Sequence, residues 1–284
     1  MRLATLITAT GPRAFARVGE AYVDLHAADA QIPPSVREIL RDGLVSRARE
    51  AAERSAIRIP VREARFAPPI FDPPKILCIG LNYRDHAIEG GKAIPTEPVL
   101  FGKFSNALCA HSDVVRLPRV SKKVDYEAEL VVVIGRTGRD IAETDAMKYV
   151  GGYTIGQDVS ARDWQMRGEA KQWIIGKTFD TFAPIGPELI TVDEVPDPHS
   201  LRIQLRLNGR TMQDSNTREF IFNVPQLIAY LSQVMTLEPG DLIFTGTPPG
   251  VGFARKPPVW LQSGDIVEIE IDGLGVLRNT VTQA

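Results

Sequence analysis

Two glutamates stand two residues apart in Val124-Asp125-Tyr126-Glu127-Ala128-Glu129-Leu130-Val131-Val132-Val133-Ile134, a run that ends at the turn Gly135-Arg136-Thr137-Gly138. The run is rich in β-branched residues and reads as a strand. Side chains alternate along a strand, so Glu127 and Glu129 point the same way. Like charges that close repel, and a polar group buried without a partner costs roughly 2–7 kcal/mol. Either this strand end is wet, as on a polar edge strand with two solvated glutamates, or a cation sits between them. A hard divalent ion with oxygen ligands is the simplest cation. Asp158 ends the apolar run Val150-Gly151-Gly152-Tyr153-Thr154-Ile155-Gly156-Gln157. It is either a third carboxylate for a metal or an ordinary turn residue.

A second pair lies in Asn82-Tyr83-Arg84-Asp85-His86-Ala87-Ile88-Glu89, read as a short helix stopped by Gly90-Gly91. At i,i+3 on a helix, His86 and Glu89 touch. A carboxylate beside an imidazole orients it and raises its basicity, which suits a general base. A surface His–Glu pair has the same spacing. Thr245-Gly246-Thr247-Pro248-Pro249-Gly250 could hold an anion, but it lacks the lysine of a phosphate-binding loop. No G-x-S-x-G elbow occurs, which argues against a Ser-His-Asp hydrolase.

The elements that must position these groups follow from the rest of the chain. Leu3–Ile7, Ala14–Val18 and Ala21–Leu25 read as short strands. Pro33-Pro34-Ser35 opens a helix in which Ser35 and Glu38 form a capping box and Val36, Ile39, Leu40 and Leu44 an apolar stripe. The proline-rich stretch 67–74 reads as a stiff connection, so we expect a small N-terminal domain, 1–70, and a larger one, 71–284. Ile76–Ile79 reads as a buried strand. Between Ser160 and Asp180 the chain is dense in charge and aromatics without periodicity, as functional loops are. Leu201, Ile203, Leu205 and Leu207 alternate with polar residues before a hairpin turn at Asn208-Gly209. Val224, Leu227, Ile228, Leu231 and Val234 have helical spacing and are expected in the core. Strands at 242–244, 267–271 and 275–281 close an α+β fold with a rolled or barrel-like sheet.

Composition sets outer limits. The chain has 284 residues, 44% hydrophobic and 24% charged, with net charge −2, so nothing marks a nucleic-acid or anionic-membrane binder. No apolar run approaches the ~18–20 residues that span a bilayer, and no signal peptide is expected. Cys78 and Cys109 both lie in apolar runs and read as buried thiols, which fits a reducing, cytoplasmic compartment.

Taken in order, these motifs resemble the fumarylacetoacetate hydrolase family. They are Gly80-Leu81-Asn82-Tyr83 with His86 and Glu89, Glu127-Ala128-Glu129, Gln157-Asp158-Val159-Ser160-Ala161-Arg162-Asp163, Gly176-Lys177-Thr178-Phe179-Asp180 and Gly246-Thr247-Pro248. The likeness covers roughly residues 72–284, with a looser match to the small leading domain of bacterial members. The resemblance implies a mixed β-roll and, commonly, a homodimer. It implies that Glu127, Glu129 and Asp158 hold Mg²⁺ or Mn²⁺, that Lys177 stands beside metal and substrate, and that His86 and Glu89 form a catalytic pair on a lid helix. It implies further that Tyr83, Arg162, Gln165 and Thr247 line the substrate site.

The leading expectation is therefore a metal-dependent hydrolase that cleaves a C–C bond of an acylpyruvate or 2,4-dioxo acid. Its products would be a carboxylic acid and pyruvate or a related 2-oxo acid. The alternative is a 2-oxo-acid decarboxylase of the oxaloacetate type, or an isomerase, using the same enolate chemistry. A non-catalytic binding protein is a third reading, disfavoured because such a module needs no water-activating pair.

Overall fold

The computed structural model describes residues 1–89, 91, 93–169 and 171–284. Three sheets carry the fold, and the largest has twelve strands. Its centre is the all-buried strand Ala128–Ile134, flanked antiparallel by Val150–Gln157 and Leu242–Phe244. Leu242–Phe244 runs parallel to Ile76–Gly80, whose other edge pairs antiparallel with Val99–Lys103. A five-stranded sheet joins Arg210–Asn216, Arg202–Leu207, Ile266–Ile271, Gly275–Gln283 and Val114–Leu117. A small third sheet pairs Val124–Asp125 with Ser160–Ala161. Parallel and antiparallel pairs are mixed and helices are few and short, which makes the fold an α+β mixed β-roll.

The N-terminal strands Arg2–Thr8, Gly11–Val18 and Ala21–Asp24 form a meander at one edge of the large sheet. Arg2–Thr8 pairs with Ala183–Thr191, so hydrogen bonding runs from the N-terminal residues straight into the strands around the site. The single helix expected from the 36–44 stripe is two helices, Val36–Arg41 and Val45–Arg54. Gly43, at φ +66°, turns the chain between them, and Leu44 occupies the N-cap position of the second helix without a side-chain capping bond. Ser35 caps the first through the Glu38 amide at 3.5 Å.

Asn208 and Gly209 both have positive φ, 52° and 77°, as the tight turn between Arg202–Leu207 and Arg210–Asn216 demands. Val224–Val234 is a helix with a full capping box from Asn223 and Gln226. It buries Val224, Leu227, Ile228 and Leu231, whereas Val234, expected in the core, is 60% exposed at its last turn. Both cysteines are buried and free. No helix among the described residues is long and apolar enough to cross a membrane.

One departure bears on the site. The run 124–134 is not one strand. It divides into Val124–Asp125 and Ala128–Ile134, which belong to different sheets. Glu127 lies in the break, so its side-chain direction comes from the crossing between sheets and not from strand alternation.

Candidate active site

The break at Tyr126-Glu127 lies beside the end of Val150–Gln157. Ala128 is opposite Gln157, and the Asp158 amide donates to the Glu127 carbonyl at 2.9 Å. This register brings Asp158 to the two glutamates. Carboxylate oxygens of Glu127, Glu129 and Asp158 lie within 4.8 Å of one another, and all three residues are buried.

Around them is a buried charge network. Lys177 Nζ donates to Glu127 Oε2 at 2.7 Å, Asp158 Oδ2 at 2.6 Å and Ser160 Oγ at 2.8 Å. Arg162 donates to Glu127 Oε1 at 2.5 Å, Asp125 Oδ2 at 2.9 Å and Gln165 Oε1 at 2.9 Å. Lys103 Nζ donates to the carbonyls of Val159, Lys177 and Phe182 and stands 2.8 Å from Asp158 Oδ1. That last approach is an ion pair outside hydrogen-bond geometry, so Asp158 Oδ1 has no hydrogen bond.

The balance is uneven. Among the described residues of this network, Asp125, Glu127, Glu129 and Asp158 face Lys103, Arg162 and Lys177. Glu129 is the one left over: its polar contact is the Gly246 amide, at 2.8 Å. Burial, then repulsion from Asp158 and Glu127, pushes its carboxyl well above the usual range. Glu127 behaves oppositely. Burial alone would raise it, but the charges of Arg162 and Lys177 hold it well below the usual range. Burial likewise disfavours the Lys177 ammonium, and Asp158 and Glu127 outweigh that and raise it. Both carboxylates thus favour the charged form of Lys177.

This donor set fits a divalent cation. All three side chains offer oxygen, Asp158 Oδ1 has no hydrogen bond, and Glu129 has no cation of its own. Glu127, Glu129 and Asp158 would hold the ion.

A cavity of about 360 Å³ opens over the carboxylates, within the range of small-molecule sites. His86 lies on its wall, on the helix Arg84–Glu89. Its Nδ1 meets Glu89 Oε2 at 3.0 Å, and Glu89 Oε1 accepts from the Gly250 amide at 2.9 Å. One carboxylate thereby orients the imidazole and ties the helix to the loop after Leu242–Phe244. The expected helix stop at Gly90-Gly91 includes Gly90, which lies outside the described residues.

Arg162, Gln165, Lys177 and Thr247 also line the cavity. Thr247 Oγ1 accepts from Gln213 Nε2 at 2.8 Å. Tyr83 does not line it. Its ring is wholly buried and packs edge-on against Phe220 with centroids 4.9 Å apart. An isolated antiparallel bridge also joins Tyr83 to Phe220.

Sequence reasoning missed three contributors. Asp125 accepts from the Gly252 amide at 2.7 Å, the Phe253 amide at 3.0 Å and Arg162, and so pins the cavity loop to the carboxylate cluster. It stands two residues before Glu127, a signal that was legible. Lys103 closes an apolar strand, and nothing local marks it as buried. Gln213 accepts from the Ala128 amide at 2.9 Å and donates to Thr247 and to the Pro248 carbonyl, linking the two larger sheets.

Known proteins resemble this chain over nearly its whole length. Residues 75–282 match the model of the fumarylacetoacetate (FAA) hydrolase C-terminal family. A fumarylacetoacetate hydrolase domain-containing protein 2 homolog of Dictyostelium discoideum is 47% identical, over 99% of this chain and 97% of that protein. A mitochondrial oxaloacetate tautomerase of Xenopus laevis is 48% identical, over 93% of this chain and 83% of that protein. A maleylpyruvate hydrolase of Sphingobium sp. SYK-6, solved with manganese (II) and pyruvate, superimposes with a TM-score of 0.81 at 32% identity, covering all of both chains. The chain belongs to the fumarylacetoacetate hydrolase family.

Proposed function

We propose that this chain is a divalent-metal-dependent enzyme acting on 2-oxo acids through their enolates, and that it interconverts the keto and enol forms of an oxaloacetate-type diacid. The observation that carries the reading is Glu129, a buried carboxylate without a cation, at the floor of a cavity walled by an oriented histidine. The relatives named oxaloacetate tautomerases support the choice among enolate chemistries.

Mg²⁺ or Mn²⁺ would supply Lewis acidity, lowering the cost of negative charge on substrate oxygens. Lys177 adds a second positive charge beside them. Glu89 fixes the His86 ring through Nδ1, which leaves Nε2 to exchange a proton with substrate. His86 Nε2 takes a proton from the carbon next to the keto group. The C–H electrons become the C=C bond, the carbonyl π electrons move to oxygen, oxygen takes a proton from water, and the His86 imidazolium returns its own to water. The reverse sequence restores the ketone, and no carbon–carbon bond breaks.

The second reading is the C–C hydrolase. It is favoured by the partial exposure of the His86 side chain, 16%, which lets water reach the base. His86 would then activate water against the carbonyl next to the enolate-forming carbon. Decarboxylation needs mainly the electron sink.

The experiment is product analysis. The metal-loaded enzyme is given oxaloacetate and a panel of acylpyruvates, enol absorbance is followed, and masses are read. Rapid keto–enol equilibration with an intact carbon skeleton is expected. Acylpyruvate cleavage that outpaces equilibration would transfer the assignment to the hydrolase. His86→Ala is expected to slow equilibration about 10²–10⁴-fold.

We further propose a homodimer, on the family resemblance; light scattering at the monomer mass, 31.3 kDa, would contradict it. A reducing compartment fits the two buried free thiols. We read it as cytoplasmic, whereas several relatives carry names that place them in mitochondria.

A further inference from the structure

The cavity contains cations, and nearly all are committed. Arg162 is shared among Asp125, Glu127 and Gln165, and Lys177 among Glu127, Asp158 and Ser160. Lys171 differs. It lines the same cavity, is exposed, and makes no ion pair or side-chain hydrogen bond among the described residues. Glu169, two positions earlier, does not line the cavity.

Two features mark the segment that carries Lys171. Trp173, two residues on, packs so tightly over Gly80 that a Cβ there would stand 2.5 Å from the indole, and it meets Phe101 edge-on at 5.4 Å. Lys171 itself has φ +50°, the left-handed conformation that favours glycine or asparagine.

The cavity therefore has three zones. Glu127, Glu129, Asp158 and Lys177 form its charged part, Phe101, Trp173, Val251 and Phe253 its apolar part, and Lys171 an exposed cation on the same lining. A 2-oxo acid seated with its oxo and first carboxylate groups at the carboxylate cluster leaves its far end in the cavity that Lys171 also lines. We propose that Lys171 reads the second carboxylate of a diacid substrate, and so sets the preference of this site for 2-oxo diacids over 2-oxo acids with neutral tails. This inference rests on the functional reading above and names the residue that recognises the second carboxylate of that substrate. No covalent step is involved: Lys171 donates to a carboxylate that does not react.

The test compares wild type, Lys171→Met and Lys171→Arg on oxaloacetate and on a 2-oxo acid of similar length with an uncharged end. A charge-assisted hydrogen bond at a part-open site is expected to change binding about tenfold. Lys171→Met should raise KM for oxaloacetate by that factor, leave kcat within about twofold, and leave both constants for the neutral-ended substrate unchanged. Lys171→Arg should restore most of the difference. Added salt should raise the wild-type KM for the diacid and not that of Lys171→Met, because the pair is screened. Calorimetric titration with malate, a non-reacting diacid, should show the same loss of affinity in Lys171→Met, while lactate binding stays equal. Equal malate affinity in wild type and Lys171→Met would overturn the proposal, as would equal losses on both substrates with circular dichroism unchanged. If wild type turns over no 2-oxo acid, the functional reading fails, and the malate titration still decides the role of Lys171.

Discussion

A buried carboxylate is tolerated when a cation or several donors meet it, and is costly otherwise. Glu127 meets Arg162 and Lys177, whereas Glu129 meets one backbone amide. Metal binding should therefore appear as stability as well as activity. A ligand at a hundredfold excess over its Kd adds about 2.7 kcal/mol, and 1 kcal/mol moves the melting point of a domain this large by about 2–4 °C. Mg²⁺ or Mn²⁺ added to chelator-stripped protein should raise Tm by several degrees. Glu129→Gln keeps the shape and an acceptor for the Gly246 amide but removes the unmatched charge. Stripped of metal, that variant should melt at or above wild type, and added metal should raise its Tm far less. Differential scanning calorimetry in chelator and in metal reads both effects. A wild-type Tm indifferent to metal would remove the basis of the assignment.

At the scale of elements, the site depends on how closely two short helices approach. Arg162–Gln165 carries Arg162 and Gln165, and Trp173–Lys177 carries Lys177. Gly176 lies against the first helix, and a Cβ there would stand 2.5 Å from the Gln165 amide nitrogen and 2.6 Å from its Cα. Backbone cannot yield as a side-chain tip does, so Gly176→Ala must push the helices apart. Overpacking of this kind costs about 1–3 kcal/mol. The displaced part carries Lys177 Nζ, so kcat should fall at least tenfold even where the protein remains folded. Full activity in a folded Gly176→Ala enzyme would show that Lys177 is not held as tightly as its three hydrogen bonds indicate. The sequence showed that Lys177 and Arg162 belong together only through family likeness. The close approach that Gly176 permits is a tertiary fact, since a glycine between Ile175 and Lys177 carries no sign of what it packs against.

For the molecule as a whole, pH dependence follows from half-buried histidines. His199 Nε2 accepts from the Val224 amide at 3.1 Å, at the start of the helix Val224–Val234. Burial lowers its imidazole below the ordinary 6.5, with Asp197 opposing in part. Burial, then the charge of Arg278, lowers His111 as well. The folded state thus prefers neutral histidines, while the unfolded chain takes up protons near 6.5. This stability is fully present above about 6.5 and is lost as pH falls from there through the lowered folded values. A protonated His199 would also no longer accept from Val224. Wild-type Tm should fall between pH 7.5 and pH 5.5, within the range where histidine titrates. His199→Gln, which retains an acceptor without the titration, should fall less steeply. Parallel melting curves would show that His199 does not contribute. His111 is present in both proteins and cancels from the comparison.

Local chemistry was legible in the residues. The β-branched run from Leu130 to Ile134, the Asn208-Gly209 turn, the i,i+3 pair of His86 and Glu89 and the apolar runs around both cysteines depend on neighbours only a few positions away, where backbone sterics and side-chain spacing decide. The carboxylates of Glu127 and Glu129 were visible for the same reason. What held them together was not. The strand break at Tyr126-Glu127 appears because Asp125 is drawn into a different sheet, where Arg162 and two loop amides satisfy it. Asp158 reaches the glutamates through the register of Ala128 against Gln157, and Lys103 through the pairing of Val99–Lys103 with Ile76–Gly80. Tyr83 turned into the core because Phe220 offered it an edge-on partner there. Long-range pairing selects among locally equivalent options, and the energy that selects lies in burial and charge pairing between segments far apart in the chain. Only the folded chain shows that four acids share three cations, and that imbalance is what points to a metal.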